Sequence, residues 1–392
     1  MDPHLTEWTA LLLRWFHLVT GAAWIGASFY FNWLNNHVLP VESGDPDPRV
    51  KGEVYAIHGG AFYRVSKYEG APERLPRTLH WFKYEAYFTW ITGFLLLGVT
   101  YWAESSAMMV DASVRALSPL TAVGLGFGSL VVGWMVYDLL CRSPLAERSI
   151  ALAGVLSGLF AAAAFGLFQT LAPRAAAMHF GAMLGTIMAA NVLFVIIPGQ
   201  RAMVDTMLAG RPPPMEHGKA GALRSLHNNY LTLPVLFVMV SNHYPTVWGH
   251  PLGWALVVAI AAMGVLLRHS FNLRGVGHPK PWTPAILGSA GLILLAVVMR
   301  PAPTVSAGDA IPFTTAQIII ANRCLPCHSE VPTQAGVLAP PKGLVLEDRG
   351  AILANRARIG TQVESRAMPL GNLTGMTDEE RTTLTSWAKA SE

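Results

Sequence analysis

Eight apolar runs long enough to cross a bilayer fill the first 300 residues, near 8–34, 82–103, 118–140, 148–170, 175–198, 227–244, 250–268 and 283–300. Hydrocarbon offers no water to bond a backbone amide, so each such run is confined to a helix. The fold class read from this pattern is all-α: a polytopic membrane bundle of eight spans over residues 1–300. Composition agrees with it. Of 392 residues, 52% are hydrophobic and only 13% charged, against about 25% charged in an ordinary soluble domain. The 12 Trp suit the two interface belts of a membrane protein. The net charge of +4 is small and not gathered with aromatics, which excludes nucleic acid as a partner and leaves membrane lipid. The first run starts after seven residues, without a basic leader or a small-residue cleavage site, and reads as a retained span.

Basic residues alternate between loops. Arg49, Lys51, Arg64, Lys67, Arg74 and Arg77 lie between runs one and two; Arg142 and Arg148 between three and four. Arg201, Arg211, Lys219 and Arg224 follow between five and six, and Arg274 and Lys280 between seven and eight. The other loops hold Arg115, then Arg174, then none. Positively charged loops stay on the cytoplasmic side, so both termini are expected on the periplasmic face of a bacterial inner membrane. The first loop, 37–80, is too long for a plain connector. Within it Tyr55, Ile57, Phe62 and Val65 alternate about Gly59-Gly60, which predicts a β-hairpin able to close the cytoplasmic mouth.

The last 80 or so residues have a different character. Residues 301–312, rich in Pro and Ala, form a short stiff tether. Beyond it, Cys324-Leu325-Pro326-Cys327-His328 has the spacing that attaches a c-type haem: a thioether from each cysteine, and the adjacent imidazole as axial ligand. Met368, in Arg366-Ala367-Met368-Pro369-Leu370, is the candidate sixth ligand, with Met376 a weaker rival. Thr377 and Glu380 form a capping box that opens a helix carrying Leu384 and Trp387 on one face. That face is expected to pack on the helix Thr315 to Arg323, through Ile318-Ile319-Ile320. The segment 313–392 therefore resembles a small class I cytochrome c domain. Covalent haem is attached on the oxidising side of the membrane, the side that the loop charges give independently. Cys141 stands alone and reads as a thiol without a role.

Charged and titratable residues inside spans are costly and default to functional candidates. Arg14, His17 and Trp24 share a stripe of the first run; Glu85 opens the second, near His80. His179 and Asn191 lie in the fifth, His227-Asn228-Asn229 and His243 bound the sixth, and Arg268-His269 end the seventh. Of these, Glu85, His17, Arg14, His179 and Asn228 are the candidate catalytic residues. Two uses remain open: histidines on facing helices holding a haem b, or Arg, Asn, Glu and His holding a flat anion while a carboxylate or imidazole takes its proton. Hydrocarbon about 30 Å thick separates the two faces, so either the oxidation site lies toward the outer half or a second redox centre lies between.

Over nearly its full length the chain resembles the bacterial membrane-bound cytochrome c urate oxidases, also called membrane urate hydroxylases. Trp15-Phe16-His17-Leu18, Gly21-Ala22-Ala23-Trp24-Ile25-Gly26 and Lys83-Tyr84-Glu85-Ala86-Tyr87 carry the resemblance, with Met368-Pro369-Leu370-Gly371-Asn372 in the haem segment. It implies oxidation of urate to 5-hydroxyisourate, with electrons passed to the haem c and on to a respiratory-chain acceptor, and no hydrogen peroxide. A site for urate calls for a cation such as Arg14 or Arg268, amides such as Asn228 or Asn229, and a base. The competing reading is a non-catalytic electron-transfer subunit carrying electrons from quinol or haem b to haem c.

Overall fold

A computed structural model describes residues 3–41, 47–69, 72, 74–76, 78–299 and 311–390. Arg77 and most of the tether, 301–310, lie outside the described residues. The chain is mostly helical. Each apolar run contains or overlaps a helix: α1 Pro3–Asn36, α2 Tyr84–Leu97, α4 Pro119–Arg142, α5 Ser149–Phe168, α6 Pro173–Asn191, α8 Met215–Ser241, α10 Gly253–Gly275 and α11 Thr283–Val298. Single helical turns, α3 Ser105–Met108 and α9 Pro245–Trp248, sit in connections. A π-helical turn, Gly98–Trp102, extends α2. Another, Val192–Ile196, joins α6 to α7 Ile197–Leu208 in one helical stretch.

Among the described residues, five helical stretches are long and apolar enough to cross a membrane: His4–Asn36, Pro119–Arg142, Ser149–Phe168, Pro173–Leu208 and Gly253–Gly275. The other three runs are helical but fall short for identifiable reasons. The α2 stretch is diluted by Glu85, Thr89, Thr92 and Thr100; α8 carries Arg224, His227, Asn228 and Asn229; α11 has only 16 residues. Helix α8 also begins well before the apolar run at 227, so Lys219 and Arg224 are helical residues and not loop residues.

The centre of the bundle is α6, packed on α2, α4, α5 and α8, with almost every residue from Ala175 to Asn191 buried or half-buried. Between helices in lipid the hydrophobic effect has little to act on, and close approach through small residues takes its place. Glycines provide it. An added Cβ would lie 2.5 Å from Met183 at Gly133, 2.5 Å from Val238 at Gly181, and 2.6 Å from His179 at Gly126. Helix α1 leans on α2, and α11 on α10, at the margins. Their outward residues, among them Trp8, Leu11, Trp15, Leu18, Ile286 and Ile293, are exposed and apolar, as a lipid-facing surface is.

Residues 50–68 form a two-stranded antiparallel hairpin, β1 Val50–His58 and β2 Ala61–Tyr68. The turn is Gly59-Gly60, both at positive φ (59° and 79°), the pair a two-residue turn of this hand requires. The guanidinium of Arg64 pairs with Glu53 across the strands.

The C-terminal body has its own core. Helices α12 Phe313–Arg323, α13 Leu325–His328, α14 Arg349–Ala354, α15 Arg356–Glu364 and α16 Asp378–Lys389 gather Ala316, Ile319, Ile320, Ile359, Val363, Leu384 and Trp387. Of the triple isoleucine only the last two point inward; Ile318 is 63% exposed, because three consecutive residues sweep most of a helical turn. The capping box at Thr377 and Glu380 is formed, with both reciprocal bonds present.

Candidate functional site

Polar side chains inside the helical body collect in separate groups. One of them surrounds buried Tyr137 on α4. Its hydroxyl accepts a bond from Asn191 Nδ2 (3.0 Å) and faces His227 Nδ1 at 2.8 Å. The same Asn191 nitrogen donates to Asn228 Oδ1 (3.0 Å), and Asn228 donates to the Met188 carbonyl (3.0 Å). Over the Tyr137 ring, 4.9 Å from its centroid, lies the Arg224 guanidinium. Its Nη2 donates to Asp138 Oδ1 at 2.7 Å, while Arg142 reaches the other Asp138 oxygen at 2.6 Å. Cys141 sits 3.8 Å from His227 Nδ1, so this thiol belongs to the group. The local sequence explains the convergence. Asn191 is the last residue before the Val192–Ile196 π turn, and π turns re-aim side chains at functional positions. On α8, four polar residues in a row cannot share one face: His227 and Asn228 enter this group, while Asn229 and Tyr230 turn toward α10.

That second group links Arg268 Nε to Asn229 Oδ1, Asn229 to Asn272 (3.0 Å), and Asn272 to Asn32 on α1 (2.8 Å). The Arg268 guanidinium stacks on Phe29 at 4.1 Å. A third group lies farther up α6. Fully buried His179 donates from Nδ1 to the Ala175 carbonyl (2.8 Å), and its Nε2 accepts from the Trp102 indole (3.0 Å). Both ring nitrogens are therefore engaged and Gly126 closes on the ring, so His179 as arranged does not present a ligand to haem b. His17 donates from Nδ1 to the Thr89 carbonyl at 2.9 Å and ties α1 to α2.

In the C-terminal body, α12 ends at Arg323 and delivers Cys324, Cys327 and His328 within one short turn. His328 Nδ1 donates to the Leu344 carbonyl at 3.0 Å. That bond fixes the ring and leaves Nε2 as the free ligand atom, as an axial histidine requires. Burial, with Cys327 alongside, pushes the Cys324 thiol up to about 12. Among the described residues no three or more His, Cys, Asp or Glu side chains gather as a metal site. Met368 is half-buried and on a loop, whereas Met376 is 3% exposed and part of the core. The Met368 loop is held by Arg381, itself buried, which donates to the carbonyls of Met368 (2.8 Å) and Val363 (3.1 Å). The set fits a covalently held haem: two cysteines, an oriented imidazole, and a thioether on a braced loop. Beside that loop the C-terminal body meets the helical one. A Cβ at Gly371 would lie 2.6 Å from the Ala107 carbonyl oxygen, and one at Gly249 would collide with that of Ser365.

Residues 3–300 match a family model described as Urate oxidase N-terminal. The chain belongs to that family. Membership ties it to urate chemistry and to an oxidoreductase activity. No curated protein matches, and no solved structure matches. The matched region ends at residue 300, so it holds all three polar groups and leaves out the C-terminal body.

Within the matched region the five candidate catalytic residues do not converge. Asn228 enters the Tyr137 group, His179 pairs with Trp102, and His17 binds α2. Arg14 is exposed; Glu85 is half-buried in the first turn of α2. The sequence pattern gave no role to Tyr137, Asp138 or Cys141, and made Arg224 a loop cation. One signal was present: Cys141 lies four residues after Tyr137 and three after Asp138, so it neighbours both on one side of α4. The identity of the groups that meet that face comes only from how α6 and α8 pack.

Proposed function

We propose that this protein is a membrane-bound urate oxidase whose electrons leave through a covalently attached haem c. The carrying observation is the union, in one chain, of a helical body of the urate oxidase N-terminal family with a C-terminal Cys-Leu-Pro-Cys-His whose histidine is oriented by the Leu344 carbonyl. Residues 1–300 form the eight-span membrane domain, 301–312 the tether, and 313–392 a periplasmic class I cytochrome c domain, with both termini on the periplasmic side of a bacterial inner membrane. Cys324 and Cys327 hold the porphyrin; His328 and Met368 are the axial ligands.

The chemistry balances without oxygen as acceptor. Urate and one water give 5-hydroxyisourate, two protons and two electrons: the water oxygen forms the new bond to C5, and the ring loses the electron pair. A haem held by Cys324, Cys327, His328 and Met368 would supply a one-electron acceptor, through which the electrons would leave toward a respiratory-chain acceptor without forming hydrogen peroxide. The residues of the helical body have to exclude bulk water, hold a planar anion and receive a proton. Buried amides, guanidinium groups and imidazoles are suited to each task. An oxidation site in the inner half of the bundle would need a second redox centre on the way to the haem c, and that is the place left for a haem b.

Anaerobic addition of urate to membranes containing the oxidised protein tests it. The expected result is appearance of the reduced haem c absorption bands, with no peroxide on readmission of air. Reduction by quinol but not by urate favours the electron-transfer subunit instead and sinks the enzyme reading.

A further inference from the structure

Among the described residues of the helical body four buried polar atoms have no hydrogen-bond partner, on Trp134, Asn191, Arg224 and Asn272, and those of Asn191 and Arg224 belong to residues that touch the same ring. Arg224 is 2% exposed; its Nη2 is on Asp138, but its Nη1 is unpaired. Asn191 is 0% exposed; its Nδ2 serves Tyr137 and Asn228, but its Oδ1 is unpaired. Arg224 lies over the Tyr137 ring and Asn191 bonds the Tyr137 hydroxyl, so one open donor and one open acceptor flank a single side chain. An unsatisfied buried group costs about 1–3 kcal/mol, and more when charged. Folded proteins seldom leave such groups without an occupant.

The charge of the group points to the kind of occupant. One carboxylate, Asp138, answers two guanidinium groups, Arg142 and Arg224. The titratable groups around it, Tyr137, Cys141 and His227, are neutral in their ordinary states, which leaves a net positive charge. An anion that offers an acceptor to Arg224 and an N–H to Asn191 satisfies both open atoms. A planar oxopurine monoanion has that edge, with carbonyl and N–H alternating around the rings. We infer that the Tyr137–Asn191–Arg224 group is the binding site for such an anion, urate on the proposed function, with Asn228 and His227 completing it. His227, bonded to Tyr137, is the imidazole placed to take a proton there. Arg142, whose side chain is 62% exposed, marks the end of the bundle from which the anion enters.

This assignment rests on the urate reading, and the two fail differently. Full-length protein is held reduced and anaerobic, so that urate binds without turning over, and urate binding is measured by equilibrium dialysis. Haem staining and size-exclusion elution check that each variant folds. Arg224→Gln is expected to weaken urate binding at least about tenfold, the loss of one charged hydrogen bond to a buried ligand. Asn191→Leu, branched at the same carbon but unable to hydrogen-bond, is expected to do the same, and it decides the matter should Arg224→Gln not fold. Arg211→Gln, on an exposed loop, leaves binding within about twofold of wild type. The assignment is overturned if Asn191→Leu and Arg224→Gln bind as wild type does, which is the outcome for a site that holds water only, or if binding is lost in Arg268→Gln, in the neighbouring group, instead. If those variants bind normally while urate still reduces the wild-type haem, the site is wrong and the function stands. If wild type neither binds urate nor is reduced by it, both fall.

Discussion

Replacing Gly126 by Ala places a methyl group where the structure has no room. The new Cβ would lie 2.6 Å from His179 Cδ2, 2.7 Å from its Nε2 and 3.0 Å from Met109 Cε. Met109 can swing its terminal methyl aside, but His179 cannot move freely. It is fully buried and tied at both nitrogens, to the Ala175 carbonyl and to the Trp102 indole. Overpacking of this kind costs about 1–3 kcal/mol, and a strained or broken indole bond adds about 1 kcal/mol. Alanine in a helix returns about 0.5–1 kcal/mol relative to glycine. The net expectation is a loss of about 1–3 kcal/mol, or roughly 1–4 °C in the unfolding midpoint for a chain of this size. Gly128 lies on the same helix but faces open space: a Cβ there would meet nothing within 4 Å, so Gly128→Ala keeps only the helix gain. The assay is thermal unfolding of detergent-solubilised full-length protein followed by tryptophan fluorescence. Equal midpoints for the two variants would show that α4 and α6 do not approach at Gly126 and would refute the packing argument.

Other substitutions probe the haem attachment, the buried ion pair and the ligand loop. Cys324→Ser with Cys327→Ser abolishes haem staining of the denatured polypeptide, whereas Met368→Leu keeps the stain and loses the sulfur-to-iron band in the oxidised spectrum. Asp138→Asn leaves Arg224 as a buried cation without its carboxylate and costs about 3–5 kcal/mol in the unfolding equilibrium; adding Arg224→Gln to it restores a large part of that loss. Arg381→Leu strands the Met368 and Val363 carbonyls, destabilises the C-terminal body by about 2–5 kcal/mol, and weakens the same sulfur-to-iron band; an unchanged band shows that the loop holds itself.

Hydropathy carried the helices because burial in lipid makes a strong local demand, about twenty apolar residues in a row, that survives without knowledge of neighbours. The Gly59-Gly60 turn and the Thr377–Glu380 capping box were likewise written in a few adjacent residues, since both are set by local backbone geometry. The Cys324–His328 pattern is local too. What could not be read was which polar side chains meet. Arg14, His17, Glu85 and His179 are alike in sequence as polar residues in apolar runs, yet they end in different places. Arg224 resembled a loop charge because the apolar run starts after it, while α8 starts before it and carries it into contact with Tyr137 and Asp138.

The amino-acid sequence alone made the helical runs and the Cys324–Cys327–His328 spacing legible, because each depends on residues within one turn or one run of chain. Tertiary structure decided the grouping around Tyr137, the Trp102 bond to His179 and the bracing of Met368 by Arg381, because each joins residues 13 to 90 positions apart whose meeting depends on helix packing.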